Sequence, residues 1–238
     1  MSTSGQKKVA IITGASQGIG AGLVDAYHKL GYAVVATSRG IAPSQDPDIV
    51  TVQGDIADPA TGERVARAAI ERFGRIDTLV NNAGIFVAKP FTDYTPEDYA
   101  AVTGVNLDGF FRITQLAVEQ MLRQGSGHVV QITTSLVDHA NSSVTSVLAS
   151  LTKGGLQSAT KALAIEYATR GIRSNAVSLG IIKTPMHLEE HHSTFAAMHP
   201  VGRMGEVSDI VDAVVYLENA PFVTGEILHV DGGQSAGH

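Results

Sequence analysis

Short apolar runs rich in β-branched residues alternate along the chain with longer amphipathic stretches. The runs are apolar on both sides of an extended chain, which is typical of strands covered on both faces, as in a parallel sheet. They predict strands at 9–12, 33–37, 49–53, 78–81, 128–132, 173–177 and 226–230. Helical periodicity predicts helices near 18–30, 60–73, 96–105, 109–124, 150–169 and 206–218.

This alternation predicts an α/β fold, built from βαβ units into a Rossmann-type, doubly wound parallel sheet with helices on both faces. We find no linker, charge block or internal repeat, so residues 1–238 are expected to form one dinucleotide-binding catalytic domain. The stretch 183–205 is too polar and too rich in proline and histidine for a core element. We interpret it as a mobile substrate lid over a site.

Composition narrows the function classes. The chain has no cysteine, which excludes a disulfide framework, a thiolate metal site and a cysteine nucleophile, and fits a reducing compartment. The formal net charge is −6 without clustered Lys and Arg, so neither a nucleic acid nor a membrane is an expected partner. The start is polar and the first apolar run is far shorter than the roughly 18 residues of a membrane helix, so we expect a cytoplasmic protein.

A glycine-rich turn joins the first predicted strand to the first helix. Gly14, Gly18 and Gly20 permit a tight turn and a close approach of the backbone to a pyrophosphate, which the free N–H groups of the helix start would bind. Ser16, Gln17 and Ile19 complete the turn. Such a turn alone also joins ordinary strands and helices, and the flanking strand and helix provide the context that the motif requires.

Further motifs follow in order along nearly the whole chain. They are TGASQGIG at 13–20, GDI at 54–56, NNAG at 81–84, VNLDGFF at 105–111, GIRSNAV at 171–177, GIIKTP at 180–185 and VDGG at 230–233. In the identity and order of these motifs, the chain resembles the short-chain dehydrogenase/reductase family. The resemblance implies that a nicotinamide cofactor contacts Asp55 and Ile56 beside the adenine, the loop residues Asn82, Ala83 and Gly84, and Gly180, Ile182 and Thr184 beside the nicotinamide.

The residues after the second strand bear on the choice of cofactor. An acidic residue there accepts a hydrogen bond from the ribose 2′-OH of NAD, and an arginine accommodates the 2′-phosphate of NADP. This chain has Ser38 and Arg39, and arginine can bind a phosphate through two parallel hydrogen bonds. NADP(H) is therefore the preferred cofactor, with NAD(H) as the alternative. Arg39 as an ordinary solvated surface residue is the competing interpretation.

The family's proton donor is missing. The resemblance implies a tyrosine acid, a lysine four residues later that lowers its pKa and binds the ribose, and an asparagine that holds a water. Lys153 and Asn106 match, but Ala149 stands at the tyrosine position. None of the six tyrosines lies between Asn106 and Lys153, so the family mechanism cannot operate unchanged.

Several groups are candidates for the missing roles. The serine that polarises the carbonyl corresponds either to Thr134 or to Ser135, and the sequence does not decide between them. Lys153, acting through water held with Asn106, is the first candidate for the acid, because burial beside a cationic nicotinamide lowers the pKa of a lysine. His139, in the altered loop with Asp138, is the second, and it is also readily explained as a solvated loop residue. Tyr94 is a weaker candidate.

The sequence therefore predicts an NADP-dependent carbonyl reductase or alcohol dehydrogenase, acting on a ketone, aldehyde or alcohol with an atypical proton donor. The rival is a pseudoenzyme that binds NADP(H) as a sensor or as an oligomer partner. The resemblance also implies a homotetramer, assembled through the helices at 109–124 and 150–169. The residues 187–191 read H-x-x-E-H, but this zinc motif needs a third ligand and another fold, so we expect no metal.

Overall fold

One sheet of parallel strands forms the centre of the molecule. The computed structural model describes residues 6–237. Its strands are β1 (Val9–Thr13), β2 (Ala33–Ser38), β3 (Ile49–Gln53), β4 (Thr78–Asn81), β5 (Gly127–Thr134), β6 (Ile172–Leu179) and β7 (Ile227–Val230). They lie in the order β3-β2-β1-β4-β5-β6-β7, and each pairs in parallel with its neighbours. The predicted doubly wound α/β fold is confirmed.

Helices follow the strands in the expected alternation. They are α1 (Gly18–Lys29), α2 (Pro59–Phe73), α3 (Pro96–Thr103), α4 (Phe110–Gln124), α5 (Val147–Tyr167), α6 (His192–Ala197) and α7 (Val207–Asn219). No helix within residues 6–237 is long and apolar enough to cross a bilayer.

Two apolar layers hold these helices against the sheet. On one face, Leu23 of α1 and Ile210 of α7 pack against side chains of the central strands. On the other, α2 and α4 contribute Val65, Ile113 and Met121. All five residues of β1 are buried, as expected for a strand covered on both sides.

The sheet extends first to one side of β1 and then, from β4 onward, to the other side. The strands after β1 run outward to β3, and the later strands then extend the sheet from the other side of β1. In doubly wound sheets, ligands bind in the crevice beyond the carboxyl ends of the strands at such a switch point. The ends of β1 and β4, at Thr13 and Asn81, therefore mark the expected site.

Two helix boundaries differ from the sequence-based expectation. Helices α3 and α4 are joined by a π-helical turn, Gly104–Gly109, instead of by a break. This wider turn carries Asn106, and π-turns of this kind often occur at functional sites. Helix α5 begins at Val147, three residues before the predicted start at 150. The apolar residues of its first turn do not form a clear helical pattern, because Val147 is exposed beside the buried Leu148 and Ala149.

The segment 183–205 is less separate from the core than expected. Its first part is exposed, and it contains the short helix α6. His199 and Met204, however, are only 3% and 1% exposed. The interpretation of 183–205 as a lid stays a prediction, and these two buried residues attach the last third of an otherwise polar stretch to the core.

A buried polar network closes the opposite end of the sheet. The carboxylate of Glu218, at the end of α7, accepts hydrogen bonds from Tyr32 at 2.8 Å, Thr78 at 3.0 Å and His128 at 2.9 Å. Tyr27 also donates to it, at 3.1 Å. Burial raises the pKa of the Glu218 carboxyl, but these donors outweigh burial and hold the pKa at about 2. The network thus stabilises an ionised carboxylate that joins α1, β4, β5 and α7.

We expect Glu218→Gln to lower the free energy of unfolding by about 2–3 kcal/mol, because hydrogen bonds to a buried charge are lost. A carboxyl with a depressed folded-state pKa stabilises the protein above its unfolded value of about 4.3 and loses that effect as the pH falls further. Urea titrations of the wild type should therefore show stability declining from there toward pH 2. Glu63→Gln, at an exposed position of α2, is the control. Equal stabilities of the two variants would contradict this account.

Candidate active site

The glycine-rich turn is shaped by steric necessity. Gly14 and Gly18 have φ angles of +66° and +54°, which favour glycine. A Cβ on Gly20 would lie 2.2 Å from the carbonyl oxygen of Gly14. Ser16 and Gln17 are exposed at the tip, and Ile19 packs against the core. Among the described residues no side chain caps the first turn of α1, so its N–H groups are available to an anion.

The loop after β4 holds this turn in place. The side-chain amide of Asn82 donates to the carbonyl oxygens of Thr13 at 2.9 Å and Gly14 at 3.1 Å. The backbone N–H of Ala83 donates to the hydroxyl of Thr13 at 2.9 Å. Asn82 and Ala83 therefore shape the cofactor crevice by holding Thr13 and Gly14 in place.

The region after β2 is suited to an anionic group. Arg39 is exposed, and its backbone carbonyl accepts a hydrogen bond from Gln53 at 2.8 Å. The hydroxyl oxygen of Ser38 is buried, and within the described residues it has no hydrogen-bond partner. On the neighbouring strand end, Asp55 caps the backbone N–H of Ala57 at 3.0 Å and Ile56 is buried. Two consecutive residues thus offer an exposed guanidinium and, within residues 6–237, a buried hydroxyl without a hydrogen-bond partner.

Asn106 lies at the centre of the site. Its side-chain oxygen accepts from the N–H of Ile85 at 3.0 Å, and its amide nitrogen donates to the carbonyl of Ile85 at 3.1 Å and to the hydroxyl of Thr152 at 3.2 Å. The π-turn places this side chain between the loop after β4 and helix α5. Sequence reasoning did not identify Thr152, whose position on α5 one residue before Lys153 was the only available signal.

Lys153 projects from α5 toward the strand ends. Its Nζ donates to the carbonyl oxygen of Ile132 on β5 at 2.8 Å. A Cβ on Gly84 would lie 3.0 Å from this nitrogen, so the glycine leaves room for the lysine. Burial lowers the pKa of Lys153 to about 8. Near neutral pH the ammonium can therefore release and regain a proton.

Ala149 lies on the same helix, one turn before Lys153, and it is 3% exposed. Its neighbour Thr152 is fully buried. A larger side chain at position 149 would therefore have to displace packed atoms.

The two hydroxyl candidates differ in their surroundings. Ser135 is 2% exposed, and its Oγ donates to the side-chain oxygen of Gln234 at 2.8 Å. Thr134 is half-buried, and its Oγ accepts a hydrogen bond from the N–H of Leu136 at 3.3 Å. Gln234 lies in the last described turn, Gln234–Ala236, and was not identified from the sequence.

The loop after β5, which contains Asp138 and His139, is attached to both α5 and β7. The N–H of His139 donates to the carbonyl of Ser135 at 2.8 Å. The carboxylate of Asp138 lies 3.1 Å from a ring nitrogen of His229 on β7 and 3.2 Å from the amide of Gln157. His229 was missed because only the folded sheet brings it to this loop. Tyr94 donates to the carbonyl of Val87 at 2.8 Å, as a packing residue would.

The stretch after β6 closes the crevice. A Cβ on Gly18 would lie 3.2 Å from the side chain of Thr184, which places Thr184 against the phosphate turn. Ile182 is buried, and Gly180 lies against His199. His187, Glu190 and His191 do not bring three ligand atoms within 4.8 Å of one another among the described residues. Thr184 thus lies beside the glycine-rich turn, and the contacts of Gly180, Ile182 and Thr184 with a nicotinamide stay a prediction. Within residues 6–237 the H-x-x-E-H motif is not assembled as a metal site.

Comparison with known proteins accounts for this arrangement. A family model described as enoyl-(acyl carrier protein) reductase matches residues 14–235. The chain belongs to the short-chain dehydrogenase/reductase family. The 3-oxoacyl-[acyl-carrier-protein] reductase FabG of Thermotoga maritima is 33% identical in an alignment that covers 95% of this chain and 97% of that reductase.

Other members of the short-chain dehydrogenase/reductase family are similarly close. L-rhamnose 1-dehydrogenase (NAD(P)(+)) of Azotobacter vinelandii is 35% identical, covering 95% of this chain and 96% of that enzyme. The structure of ElxO with NADP bound has a TM-score of 0.89 at 29% identity, covering 98% of this chain and all of that one. A 3-ketoacyl-(acyl-carrier-protein) reductase of Brucella melitensis complexed with NADH has a TM-score of 0.88 at 30% identity, covering 97% and 99%. The chain is an oxidoreductase of this family with a nicotinamide-cofactor crevice.

We expect Gly20→Ala to abolish detectable binding of a nicotinamide cofactor, because the added Cβ would push away the Gly14 carbonyl and distort the glycine-rich turn. Binding is measured by quenching of NADPH fluorescence on titration, after circular dichroism has shown that the variant is folded. Gly62→Ala on α2 is the control, since its Cβ would meet nothing closer than 3.8 Å. An unchanged Kd for Gly20→Ala would contradict the placement of the cofactor at this turn.

Proposed function

We propose that the protein is an NADP-dependent oxidoreductase of the carbonyl reductase type, which transfers a hydride between the nicotinamide and a ketone, aldehyde or alcohol. Its proton donor is atypical, because Ala149 occupies the position of the family's tyrosine. The observation that carries this proposal is the convergence of Asn106 and Lys153 at the switch-point crevice, with the pKa of Lys153 held at about 8. A group with this pKa transfers protons efficiently near neutral pH.

The bound cofactor supplies the hydride, and the chain supplies binding, orientation and a proton. Lys153 donates the proton to the substrate oxygen through a water held near Asn106. A hydroxyl of Thr134 or Ser135 polarises the carbonyl. His139, with Asp138 paired to His229, remains the alternative acid.

A second candidate function is a pseudoenzyme that binds NADP(H) as a sensor or as an oligomer partner. The burial of Ala149 favours it, because the space of the missing tyrosine is filled. A screen of NADPH oxidation against aldehydes and ketones separates the two functions. Turnover of any carbonyl that depends on Lys153 supports the enzyme, and binding without turnover supports the pseudoenzyme.

The preference for NADP(H) rests on Ser38 and Arg39. The exposed guanidinium has no acidic neighbour at position 38 to repel a phosphate, and the buried Ser38 hydroxyl has no hydrogen-bond partner among residues 6–237. Solved relatives carry either NADP or NADH, so the choice depends on these residues of this chain.

We further propose that residues 1–238 act as one catalytic domain, that 183–205 covers the substrate, and that the chain forms a homotetramer through α4 and α5. Phe111 of α4 and Leu151 and Ile165 of α5 are 63%, 61% and 82% exposed, as expected of helix faces that meet a second copy.

We expect Arg39→Asp to weaken NADPH binding by about 10²-fold, because a charge-assisted pair with the phosphate becomes a repulsion. NADH binding should be retained or improved, since the carboxylate can accept from the ribose 2′-OH. Both dissociation constants are measured by fluorescence titration at one salt concentration. Arg72→Asp, at an exposed position of α2, controls for the change in net charge. A wild type that binds NADH more tightly than NADPH would contradict the proposed preference.

We expect the rate of carbonyl reduction to fall as the pH rises above about 8, because Lys153 must be protonated to act as the acid. Lys153→Arg keeps the cation that would bind the ribose, but it holds its proton too tightly to donate. Its kcat should fall by about 10²-fold or more, with NADPH affinity little changed. His139→Ala should leave the pH profile intact. A profile that follows His139 and not Lys153 would assign the acid to His139.

A further inference from the structure

Gln234 takes up the only proton that Ser135 can donate. The Oγ of Ser135 donates to the side-chain oxygen of Gln234 at 2.8 Å. A serine hydroxyl carries one proton, so a hydroxyl engaged in this way cannot also donate to a substrate carbonyl. In this arrangement the Ser135 hydroxyl is held in place, and it is not available to donate a hydrogen bond to a substrate.

The lid fixes the orientation of the Gln234 amide. The amide nitrogen of Gln234 donates to the backbone carbonyl of Met198 at 3.2 Å. A carbonyl oxygen only accepts, so this contact directs the nitrogen of Gln234 toward the lid and its oxygen toward Ser135. Met198 directly follows α6, and the lid therefore determines which end of the amide Ser135 meets.

The surroundings keep the Gln234 side chain at this point. A Cβ on Gly180 would lie 3.0 Å from the Gln234 oxygen and 2.6 Å from the Nε2 atom of His199. The same His199 nitrogen accepts from the N–H of Ile181 at 2.9 Å, and its Nδ1 donates to the carbonyl of Phe195 at 2.8 Å. The end of the lid, the strand end at Gly180 and Gln234 thus form one packed unit.

We infer that Gln234 is a positioning residue that couples the lid to Ser135. When the carbonyl of Met198 moves away, the amide can rotate and present its NH₂ group to the Ser135 oxygen. The serine proton is then released from Gln234 and can be donated to the substrate carbonyl. This inference rests on the proposed function, because the released proton acts on the carbonyl that the enzyme reduces.

The test compares two substitutions of similar length. Gln234→Glu places an acceptor-only carboxylate beside Ser135, which retains the proton permanently, and Gln234→Met removes the acceptor altogether. With NADPH and the carbonyl compound that the wild type reduces fastest, we expect kcat to fall about 10²-fold for Gln234→Glu. Gln234→Met should keep at least the wild-type kcat. In a Ser135→Ala background the two variants should be indistinguishable. Gln45→Glu and Gln45→Met, in the exposed loop between β2 and β3, are the matched controls.

Equal losses for Gln234→Glu and Gln234→Met, or the same difference with and without Ser135, would overturn the coupling, since a purely structural role needs no serine. Hydrogen exchange of the amides at 195–199 tests the bridge without turnover. Gln234→Met should accelerate this exchange, and unchanged exchange would overturn the link to the lid. A wild type that reduces no carbonyl would overturn the proposed function, and exchange would then still show whether the lid and Gln234 are coupled.

Discussion

The contact between the Asn82 amide and the carbonyl oxygens of Thr13 and Gly14 determines the shape of the cofactor crevice. Parallel strands alone bring the ends of β1 and β4 side by side, but they do not fix the path of the turn beyond them. The Asn82 amide donates hydrogen bonds to two carbonyl oxygens that point away from the sheet. The N–H groups at the start of α1 take no part in these bonds and can bind a ligand. Gly20 is required by the same geometry, since its Cβ would strike the Gly14 carbonyl that Asn82 holds.

The proposed replacement of the family's tyrosine by Ala149 gives Lys153 a different electrostatic role. In the family's arrangement a lysine assists a neighbouring acid, whereas here the neighbouring position is a buried alanine. The ammonium instead contacts the Ile132 carbonyl, and burial lowers its pKa to about 8. The same desolvation that makes a charged lysine costly brings its pKa into the range useful for acid–base chemistry. Lys153 is thus a group that can transfer protons at the position where the proposed mechanism needs one.

Local patterns were sufficient for the fold. Apolar runs predicted the sheet and glycine spacing predicted the turn after β1, whereas Asn106 and Lys153 were indicated only by the resemblance to the family. Contacts between segments distant in the chain were out of reach. His229 meets Asp138 only because β7 pairs with β6, and Gln234 meets Ser135 only because the chain returns past Gly180. Neither contact is indicated by hydrophobic periodicity or by a motif in the sequence. The burial of His199 was also unpredictable, because nothing in the polar composition of 183–205 distinguishes an anchoring histidine from an exposed one.

These distant contacts meet at one place. The lid reaches the strand ends through His199 and Met198, and the last described turn reaches them through Gln234. A lid attached only by side chains of the core would open without affecting the serine hydroxyl. Because Gln234 contacts both Met198 and Ser135, the proposed movement of 183–205 would change the hydrogen bonding of Ser135. In the proposed enzyme, the binding energy of a substrate that displaces 183–205 would therefore alter a polar group at the reacting carbon, which a rigidly anchored segment would not allow.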